Sequence, residues 1–376
     1  MIYRTIEKLV ADKLFKGKAI LVIGARQTGK TTLLNKIYSQ NQDKSKFFNC
    51  DNPDTREKFT NPTSTQLQHL IGSSEIILID EAQRIENIGL TLKIIIDTFK
   101  KVQVIVSGSS SLEIANKINE SLTGRKWEYL MFPLSFEEMV NHSSLTDEIR
   151  LIEHRMVYGY YPDVVTMSGH ETEILKNLSG SYLYKDIFLF KEIRRPELLE
   201  KLLVALALQL GSEVSFHELS QMLGVDTVTV EKYITYLEQA YVIFRLKSFN
   251  RNLRNELKKS RKIYFYDNGI RNTIISNFNS LSLRSDTGAL WENFLVSGRL
   301  KFLSNNLIYS NNYFWRTMRQ QEIDYIEDRN GKLFAFELKW NANKKYKIPE
   351  SFMRAYPGSE FKMINPENYH GFLTGI

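Results

Sequence analysis

The sequence predicts an α/β protein that begins with a parallel-sheet core, continues through a helical middle region, and ends in a smaller α/β domain. Three stretches support this prediction. An apolar strand runs into a glycine-bounded loop and a helix over residues 19–34, and a second apolar strand, 76–79, ends on two carboxylates. Residues 322–339 instead alternate apolar and polar positions around a turn. Continuous apolar strands are typical of a parallel sheet buried on both faces, whereas alternation indicates strands with two different faces.

The length of 376 residues is enough for two or three domains, each with its own core. With 43% hydrophobic and 25% charged residues the composition is that of a globular protein, and the apolar runs are too short to cross a bilayer. The charged N-terminus argues against a signal peptide, and the single cysteine, Cys50, suits a reducing compartment. We therefore expect a cytoplasmic protein with no membrane partner. Its net charge of +7 mildly favours polyanionic partners.

The first domain is predicted to span residues 1–145. Residues 3–15 place apolar side chains at helical spacing, and residues 19–23 and 46–50 are predicted strands. The polar stretch 51–64 between them and the next strand is predicted to be a loop with a short helix.

The loop at residues 24–31, GARQTGKT, fits the phosphate-loop pattern G-x-x-x-x-G-K-[ST] between a strand and a helix. Gly24 and Gly29 permit backbone turns in which successive N–H groups face an anion, and the helix adds the positive end of its dipole. Lys30 is expected to reach the β- and γ-phosphates of ATP, and the Thr31 hydroxyl to bind Mg²⁺. The predicted nucleotide-binding residues are Gly24, Ala25, Arg26, Gln27, Thr28, Gly29, Lys30, Thr31 and Thr32.

Asp80 and Glu81 follow the buried strand in EIILIDEAQR, at the strand end where open α/β sheets bind their ligands. We expect Asp80 to hold Mg²⁺ through water and Glu81 to polarise the attacking water, a role worth roughly 10²–10⁴ in rate. The alternative is an acidic loop without a catalytic role.

Two further residues are candidates at the γ-phosphate. A third predicted strand, 102–106, ends in SGSS, where Ser109 could sense the phosphate, or simply form a turn. Arg125, in LTGRKWEYL, is the candidate arginine finger, a group worth roughly 10³–10⁵ in turnover when a neighbouring subunit supplies it. That role would imply a homo-oligomer. The alternative is a surface arginine before a strand at 128–132.

Together GARQTGKTTLL, ILIDEAQR, VSGSSS and LTGRKWEYLMFPLSFEE resemble the AAA+ ATPases of bacteria and archaea that carry a C-terminal domain of unknown function. The resemblance covers residues 1–140. It implies a three-layer α/β ATPase core with Lys30, Thr31, Asp80 and Glu81 in the roles given above. It also makes Ser109 a plausible sensor and Arg125 a plausible finger.

Residues 146–210 are predicted to form a helical lid or bridge, with helices over 171–191 and 196–210 separated from earlier ones by GYYPDVV. Residues 211–285 then have helix–turn–helix spacing, with helices at 216–223 and from 227, followed by a strand at 241–246 that suggests a winged helix. The second helix carries Glu231 and Glu238, which disfavour groove reading, so a rigid adaptor is the alternative.

The stretch that follows is strongly basic, and it is our first choice for a DNA contact. Against the single acid Glu256 it contains Arg245, Lys247, Arg251, Arg254, Lys258, Lys259, Arg261 and Lys262. We interpret it as a wing or hairpin that tracks phosphates; the alternative is a solvated loop. A strand at 263–266 and an Asp267-Asn268-Gly269 turn are predicted to close this region.

The C-terminal domain is predicted over residues 286–376, beginning with a helix at 288–302 that contains Glu292. A hairpin then places Asp324 beside Glu337 and Lys339, the last two on one face of their strand. Asp324 and Glu337 could hold Mg²⁺ or Mn²⁺ for phosphodiester hydrolysis, with Lys339 assisting. The alternative is a hairpin with ordinary surface charges.

The set Glu292, Asp324 and Glu337-x-Lys339 resembles the PD-(D/E)xK nuclease fold, although Ile323 stands where that motif has proline. The resemblance covers about residues 286–365 and implies a restriction-endonuclease-like domain, with Glu292 as a further metal ligand. Taken together, the sequence predicts an ATP- and Mg²⁺-dependent ATPase that acts on DNA, with nuclease activity left open. The alternative is a nucleotide-controlled switch or scaffold whose C-terminal domain binds a partner or DNA without cutting.

Overall fold

A computed structural model describes residues 2–108, 122–180, 195–249, 261–317, 320–343 and 348–375. The chain divides into two compact units. The N-terminal unit comprises Tyr3–Pro133 with Gln239–Tyr241, and the C-terminal unit comprises Leu134–Glu238 and Val242–Ile376 with Met1–Ile2. Ser109, the predicted helical segment beyond residue 180, and the basic residues at 251–259 lie outside the described residues.

The N-terminal unit is built on a five-stranded sheet in the order β2-β3-β4-β1-β5, with every neighbouring pair parallel. Its strands are β1 (Ala19–Ile23), β2 (Ser45–Asn49), β3 (Ile76–Asp80), β4 (Gln103–Gly108) and β5 (Lys126–Leu130). Its helices are α1 (Thr5–Ala11), α2 (Lys30–Gln40), α3 (Pro53–Phe59), α4 (Ser64–Ile71) and α5 (Ile88–Thr98). The predicted parallel-sheet core is thus confirmed.

Both faces of this sheet are covered, which explains its uninterrupted apolar strands. Along β1, Leu21 and Ile23 pack into one hydrophobic cluster with residues of α4 and α5, whereas Ile20 and Val22 pack into a second cluster with residues of α1 and α2. Two helical layers therefore enclose the sheet. Burial on both faces is what removes the alternation that a half-exposed strand would show.

The C-terminal unit contains a seven-stranded mixed sheet in the order β12-β11-β10-β9-β7-β8-β6. Its pairs are antiparallel except β7–β9 and β11–β12, which are parallel. Strands from the 211–285 stretch and from the 286–376 stretch thus share one sheet. The strands are β6 (Glu213–Val214), β7 (Ile243–Ser248), β8 (Arg261–Phe265), β9 (Asn311–Arg316), β10 (Glu322–Arg329), β11 (Lys332–Leu338) and β12 (Glu360–Ile364).

Most of the helices described in the C-terminal unit lie within the predicted helical stretches. Their bounds are Phe136–His142, Leu145–Arg150, Ile152–Tyr158, Pro162–Thr166, Glu171–Leu178, Pro196–Leu208, Phe216–Leu223, Thr227–Gln239, Asn268–Ile274, Thr287–Asn305, Glu350–Ala355 and Tyr369–Thr374. The helices at 216–223 and 227–239 are joined through Gly224, which takes a left-handed conformation with φ of +65°. The predicted helix–turn–helix spacing is therefore seen as two helices around a glycine turn.

One prediction here is wrong. Asp267-Asn268-Gly269 does not form a turn; it starts the helix Asn268–Ile274. The carboxylate of Asp267 accepts hydrogen bonds from the N–H groups of Gly269 and Ile270, at 2.9 and 3.3 Å, and caps that helix. Aspartate and asparagine favour turns and helix caps for the same reason, since a short polar side chain satisfies nearby backbone groups.

Candidate nucleotide-binding site and C-terminal carboxylate cluster

The predicted phosphate loop joins β1 to α2 in a conformation that requires its two glycines. A Cβ atom at residue 24 would overlap the carbonyl oxygen of Met131, which crosses close to the loop. Gly29 caps α2 with φ of +101°, a left-handed conformation that side chains rarely adopt. Gln27 also has positive φ, at +56°. The loop turns so that the carbonyl groups of Gly24 and Ala25 face one point.

The ammonium group of Lys30 lies at that point. Its Nζ donates hydrogen bonds to the carbonyl oxygens of Gly24 and Ala25, at 2.9 and 2.6 Å, and the residue is only 4% exposed. Thr28 is fully buried, and its hydroxyl donates to the Ala25 carbonyl at 2.9 Å. Thr31 and Thr32 are exposed at the start of α2, while Arg26 and Gln27 are half-buried.

Arg4, which the sequence analysis did not single out, contacts the backbone of the loop. The guanidinium group of Arg4 is buried, and it donates to the carbonyl oxygens of Thr28 at 2.5 Å and Phe132 at 2.7 Å. Arg4 precedes α1, and its partners lie 24 and 128 residues away in the sequence. No local pattern could have identified them.

Thr31 and Asp80 meet at the ends of two neighbouring elements. The Thr31 hydroxyl donates to Asp80 Oδ2 at 2.8 Å, and the Ser107 hydroxyl donates to Asp80 Oδ1. Ser107 also accepts a hydrogen bond from the N–H of Glu81 at 3.3 Å. A hydroxyl and a carboxylate in contact are hard oxygen ligands of the kind that Mg²⁺ prefers, so these residues fit the ion.

The sequence analysis did not consider Ser107, and it named Ser109, which lies outside the described residues. β4 extends to Gly108, so Ser107 still lies within the strand, fully buried next to Asp80. The serine-rich ending of β4 is the signal that could have identified Ser107, whose hydroxyl contacts the Asp80 carboxylate.

Glu81 adopts an unusual backbone conformation. With φ of +55° and ψ of +41° it occupies the left-handed region, which is uncommon for residues other than glycine and marks functional sites when the surroundings enforce it. Its carboxylate accepts a hydrogen bond from the side-chain amide of Gln83. Gln83 is buried, so the glutamate is held by a fixed neighbour.

Arg125 is half-exposed before β5, and its Nε donates to Asp97 Oδ1 at 2.9 Å. That hydrogen bond lowers the pKa of Asp97.

The single cysteine, Cys50, follows β2 and donates its backbone N–H to the carbonyl oxygen of Asp80 at 3.0 Å. Burial, followed by the charges of Asp80, Asp51 and Glu81, raises the pKa of its thiol to about 12.

In the C-terminal unit, β10 and β11 pair antiparallel with Tyr325 opposite Phe336. This register brings three predicted site residues together. Lys339 Nζ lies 2.5 Å from Glu337 Oε1 and 3.3 Å from Asp324 Oδ2. Asp324 Oδ2 also accepts the backbone N–H of Leu338 at 2.9 Å.

Glu292, the fourth predicted member, faces a different lysine. Its Oε1 accepts hydrogen bonds from Lys262 Nζ at 2.9 Å and from the Tyr264 hydroxyl at 2.5 Å, and Lys262 Nζ also lies 2.5 Å from Glu322 Oε1. Burial and the charge of Asp324 raise the pKa of Glu292 to about 7, against the lowering effect of Lys262. The sequence analysis placed Lys262 in a hairpin that would contact DNA phosphates. It did not consider Tyr264 or Glu322 as members of this site.

Burial alone would lower the pKa of Lys262, but Glu292, Asp324 and Glu322 together raise it above its ordinary value. For Lys339, Asp324 and Glu337 likewise overcome burial and raise the pKa. We name the six residues Lys262, Glu292, Glu322, Asp324, Glu337 and Lys339 the carboxylate cluster. Across the described ranges, no three histidine, cysteine or acidic side chains are grouped so that they could hold a metal ion.

Comparison with known families divides the chain in three. Residues 16–140 match the AAA domain, residues 149–281 match a domain of unknown function (DUF8612), and residues 287–368 match another (DUF4143). The phosphate loop and the parallel sheet agree with the first match, and together they support an AAA-type P-loop domain in this part of the chain. These matches do not show the predicted winged helix or the nuclease-like fold, which stay predictions.

The chain is 26% identical over 330 residues to an uncharacterized protein of Mycobacterium tuberculosis, covering 87% of this chain and 71% of that protein. It is 22% identical over 390 residues to an uncharacterized protein of Methanocaldococcus jannaschii, covering 96% of this chain and 84% of the relative.

Among solved structures, the Pif1 helicase from Candida albicans aligns at 12% identity with a TM-score of 0.27, over 48% of each chain. Drosophila ORC bound to AT-rich DNA and Cdc6 aligns at 10% identity with the same TM-score, over 72% of this chain and 90% of that one. These low scores support no further inference.

Of the helices that the structure describes, none is long and apolar enough to span a membrane.

Proposed function

We propose that this protein is a Mg²⁺-dependent ATPase that acts on DNA. The observation that carries the proposal is the contact between the Thr31 hydroxyl and the Asp80 carboxylate, 2.8 Å apart, beside a loop that already encloses the Lys30 ammonium. Thr31 and Asp80 would hold the Mg²⁺ ion, which neutralises charge on the β- and γ-phosphates when it is bound.

The chain's own residues divide the remaining work. Lys30 exchanges the carbonyl oxygens of Gly24 and Ala25 for phosphate oxygens, while the loop N–H groups and the N-terminus of α2 bind the same anion. Glu81 takes the proton of the attacking water. Ser107 positions the Asp80 carboxylate and the Glu81 backbone through its two hydrogen bonds. Arg125 acts on the γ-phosphate of a neighbouring copy after leaving Asp97, and Ser109 senses the phosphate.

The net charge of +7 favours a polyanionic partner, which we propose to be DNA. Arg245 and Arg261 are committed to acidic partners, because Arg245 bonds Glu238 and Arg261 lies 3.4 Å from Glu231. We therefore assign the phosphate contacts to Lys247, which is exposed on β7, and to the basic residues that follow it, Arg251, Arg254, Lys258 and Lys259.

Two further candidate functions each have one supporting observation. The hydrogen bond from Gln83 to the Glu81 carboxylate favours a nucleotide-controlled switch. A general base that is held by a neighbouring side chain would activate water poorly, and ATP hydrolysis would then be slow. The convergence of Asp324 and Glu337 on Lys339 favours phosphodiester hydrolysis in the C-terminal unit. There, Asp324 and Glu337 would hold Mg²⁺ or Mn²⁺, which supplies an activated water when bound.

One experiment separates these functions: ATP turnover measured with and without single-stranded, duplex and four-way DNA, with nicks scored in the same tubes. We expect DNA-stimulated turnover that falls as salt rises, because phosphate contacts release counterions. Slow turnover with retained ADP and no DNA effect would support the switch instead. Nicks that disappear in an Asp324→Ala, Glu337→Ala variant would establish the nuclease.

Glu81→Gln should lower turnover by about 10²–10⁴ while leaving ATP binding intact, as expected for loss of a general base. Glu86→Gln, an exposed glutamate on the same connection, is the matched control. Normal turnover in Glu81→Gln would remove Glu81 from the mechanism.

A further inference from the structure

Residues 13–18, between α1 and β1, form a short turn with the sequence KLFKGK, which we name the lysine loop. It lies before the N-terminal end of β1, whereas the phosphate loop follows the other end of that strand. Leu14 packs on the hydrophobic cluster that includes residues of α1 and α2, but the next side chain, Phe15, is 52% exposed. The lysine loop therefore presents an aromatic ring to solvent, away from the ATP site.

Phe15 is held in a backbone conformation that a bulky residue rarely adopts. Its φ is +58°, in the left-handed region. Its N–H donates to Gln103 Oε1 at 2.7 Å, and Gln103 Nε2 donates to the carbonyl oxygen of Lys18 at 3.0 Å. Gln103 is 2% exposed at the start of β4, so a buried amide fixes the lysine loop at two points. An outlier that the surroundings enforce on an exposed ring indicates a function for that ring.

Ammonium groups are concentrated in the same loop. Lys13 Nζ and Lys18 Nζ each lie 4.5 Å from the centroid of the half-buried Trp127 ring, so they are separated by no more than twice that distance. Lys16 is exposed between them in the sequence. In the part of the chain that the structure describes, no carboxylate forms a salt bridge with any of these three lysines. Because like charges repel, a ligand with several negative charges would stabilise this arrangement.

We infer that the lysine loop binds single-stranded nucleic acid, with a base stacked on Phe15 and the backbone phosphates on the three lysines. Unpaired bases stack on aromatic side chains while cations neutralise the phosphates, so an exposed ring among ammonium groups suits a single strand. In a duplex the bases already stack on each other, and the ring then has no partner. The inference rests on the proposed function for its choice of DNA as ligand, but it requires neither ATP hydrolysis nor the basic residues that follow β7.

Fluorescence anisotropy of a short labelled oligothymidylate with the full-length protein, measured without ATP, tests the inference. The main variant is Phe15→Gly, because glycine adopts positive φ without strain and lacks the ring. We expect it to weaken binding of the single strand about tenfold, as for loss of one stacking contact, with its stability to urea unchanged or higher. Affinity for a matching duplex should not change. Phe15→Tyr should retain binding, as should Leu90→Ala, at a leucine of similar exposure in the same unit.

The lysines are tested through the salt dependence of binding. Replacing Lys13, Lys16 and Lys18 together by glutamine should reduce the slope of log affinity against log salt by about 2, since each phosphate contact to a single strand contributes about 0.7. Lys58→Gln, at an exposed lysine of α3, should leave the slope unchanged. If the triple variant does not fold, because Lys13 and Lys18 contact Trp127, Lys16→Gln alone should reduce the slope by about 0.7.

Unchanged affinity of Phe15→Gly for the single strand would overturn the inference. Loss of binding to phosphatidylserine vesicles in that variant, with oligonucleotide binding retained, would overturn it in favour of an anionic membrane surface. ATP turnover with single-stranded DNA, measured in parallel, separates the two proposals. Stimulation that persists in Phe15→Gly would remove the lysine loop and leave the proposed function. Binding that depends on Phe15, without any stimulation of turnover, would support the lysine loop and remove the DNA-coupled ATPase.

Discussion

The phosphate loop and the carboxylate cluster both combine lysines with carboxylates at strand ends, but they hold these groups in different ways. In the loop, Lys30 donates to backbone carbonyls and Asp80 accepts from the hydroxyls of Thr31 and Ser107. In the cluster, Lys339 and Lys262 contact carboxylates directly. The first arrangement uses neutral partners that a nucleotide and its ion can replace.

The difference is one of energy as well as geometry. The hydrogen bonds of the Lys30 ammonium have a charged donor and contribute about 1.5–3 kcal/mol each, and a phosphate oxygen replaces them with bonds of the same kind, so the exchange costs little. Removing one partner of a buried ion pair costs about 3–5 kcal/mol, because a charge is left without compensation. The loop is therefore suited to binding a ligand, and the cluster is suited to staying closed.

Replacing Lys30 tests the loop and should give the largest effect. Lys30→Met should weaken Mg·ATP binding by about a hundredfold or more, because several charge-assisted hydrogen bonds to phosphate are lost. Loss of the hydrogen bonds to the carbonyl oxygens of Gly24 and Ala25 should lower the free energy of unfolding less than loss of a buried ion pair does. Calorimetric titration with Mg·ATP measures the affinity, and Lys8→Met, at an exposed lysine of the same unit, is the control. Unchanged affinity would remove Lys30 from the site.

The matching substitution in the cluster should behave in the opposite way. Lys339→Met leaves the buried carboxylates of Asp324 and Glu337 without this ammonium. Because the Lys339 side chain is 23% exposed, the free energy of unfolding should fall by about 2 kcal/mol, less than for a fully buried pair. ATP affinity should not change. Urea unfolding measures the effect, and Lys332→Met, on the exposed part of β11, should cost less than about 1 kcal/mol. Equal costs in the two variants would mean that the cluster is an ordinary surface hairpin.

Ser107 offers a smaller test within the ATP site. Ser107→Ala removes a donor to a buried carboxylate, and should weaken Mg·ATP binding about tenfold, the equivalent of about 1.4 kcal/mol. Ser107→Thr keeps the hydroxyl and should restore most of the affinity. If both variants bind ATP normally, Asp80 is positioned by other groups.

The parts of the molecule that the sequence predicted are those with local signals. β1 and β3 were predicted because burial on both faces gives continuous apolar runs, and the loop because its glycines, Lys30 and Thr31 follow one another in the chain. The contact of Asp324 with Lys339 was predicted from alternation and a short turn, which together fix the register of a hairpin.

What the sequence could not predict depends on distant pairing. Lys262 on β8 contacts Glu292 on the helix Thr287–Asn305, 30 residues further along the chain, and the parallel pairing of β7 and β9 joins two stretches that appear separate in the sequence. Arg4 contacts Thr28, which lies 24 residues away in the sequence. Asp267 was predicted to lie in a turn, whereas it caps the helix Asn268–Ile274. Parallel pairing and long-range anchors leave no periodic pattern to detect.

The smallest effect concerns Cys50, and it tests whether the acidic side of the ATP site is as enclosed as the carboxylate cluster. Its thiol pKa lies at about 12, above the ordinary value, because burial and then the carboxylates of Asp80, Asp51 and Glu81 disfavour the thiolate. The thiolate is the reactive form, so the native protein should not react with Ellman's reagent at pH 8, nor speed up between pH 7 and pH 9.5, the range in which an ordinary thiol ionises. Denatured protein should react at once with one thiol per chain, since Cys50 is the only cysteine. Rapid reaction of the native protein would mean that the strand end at Asp80 opens to solvent, and the contrast between an exchangeable loop and a closed cluster would then need another explanation.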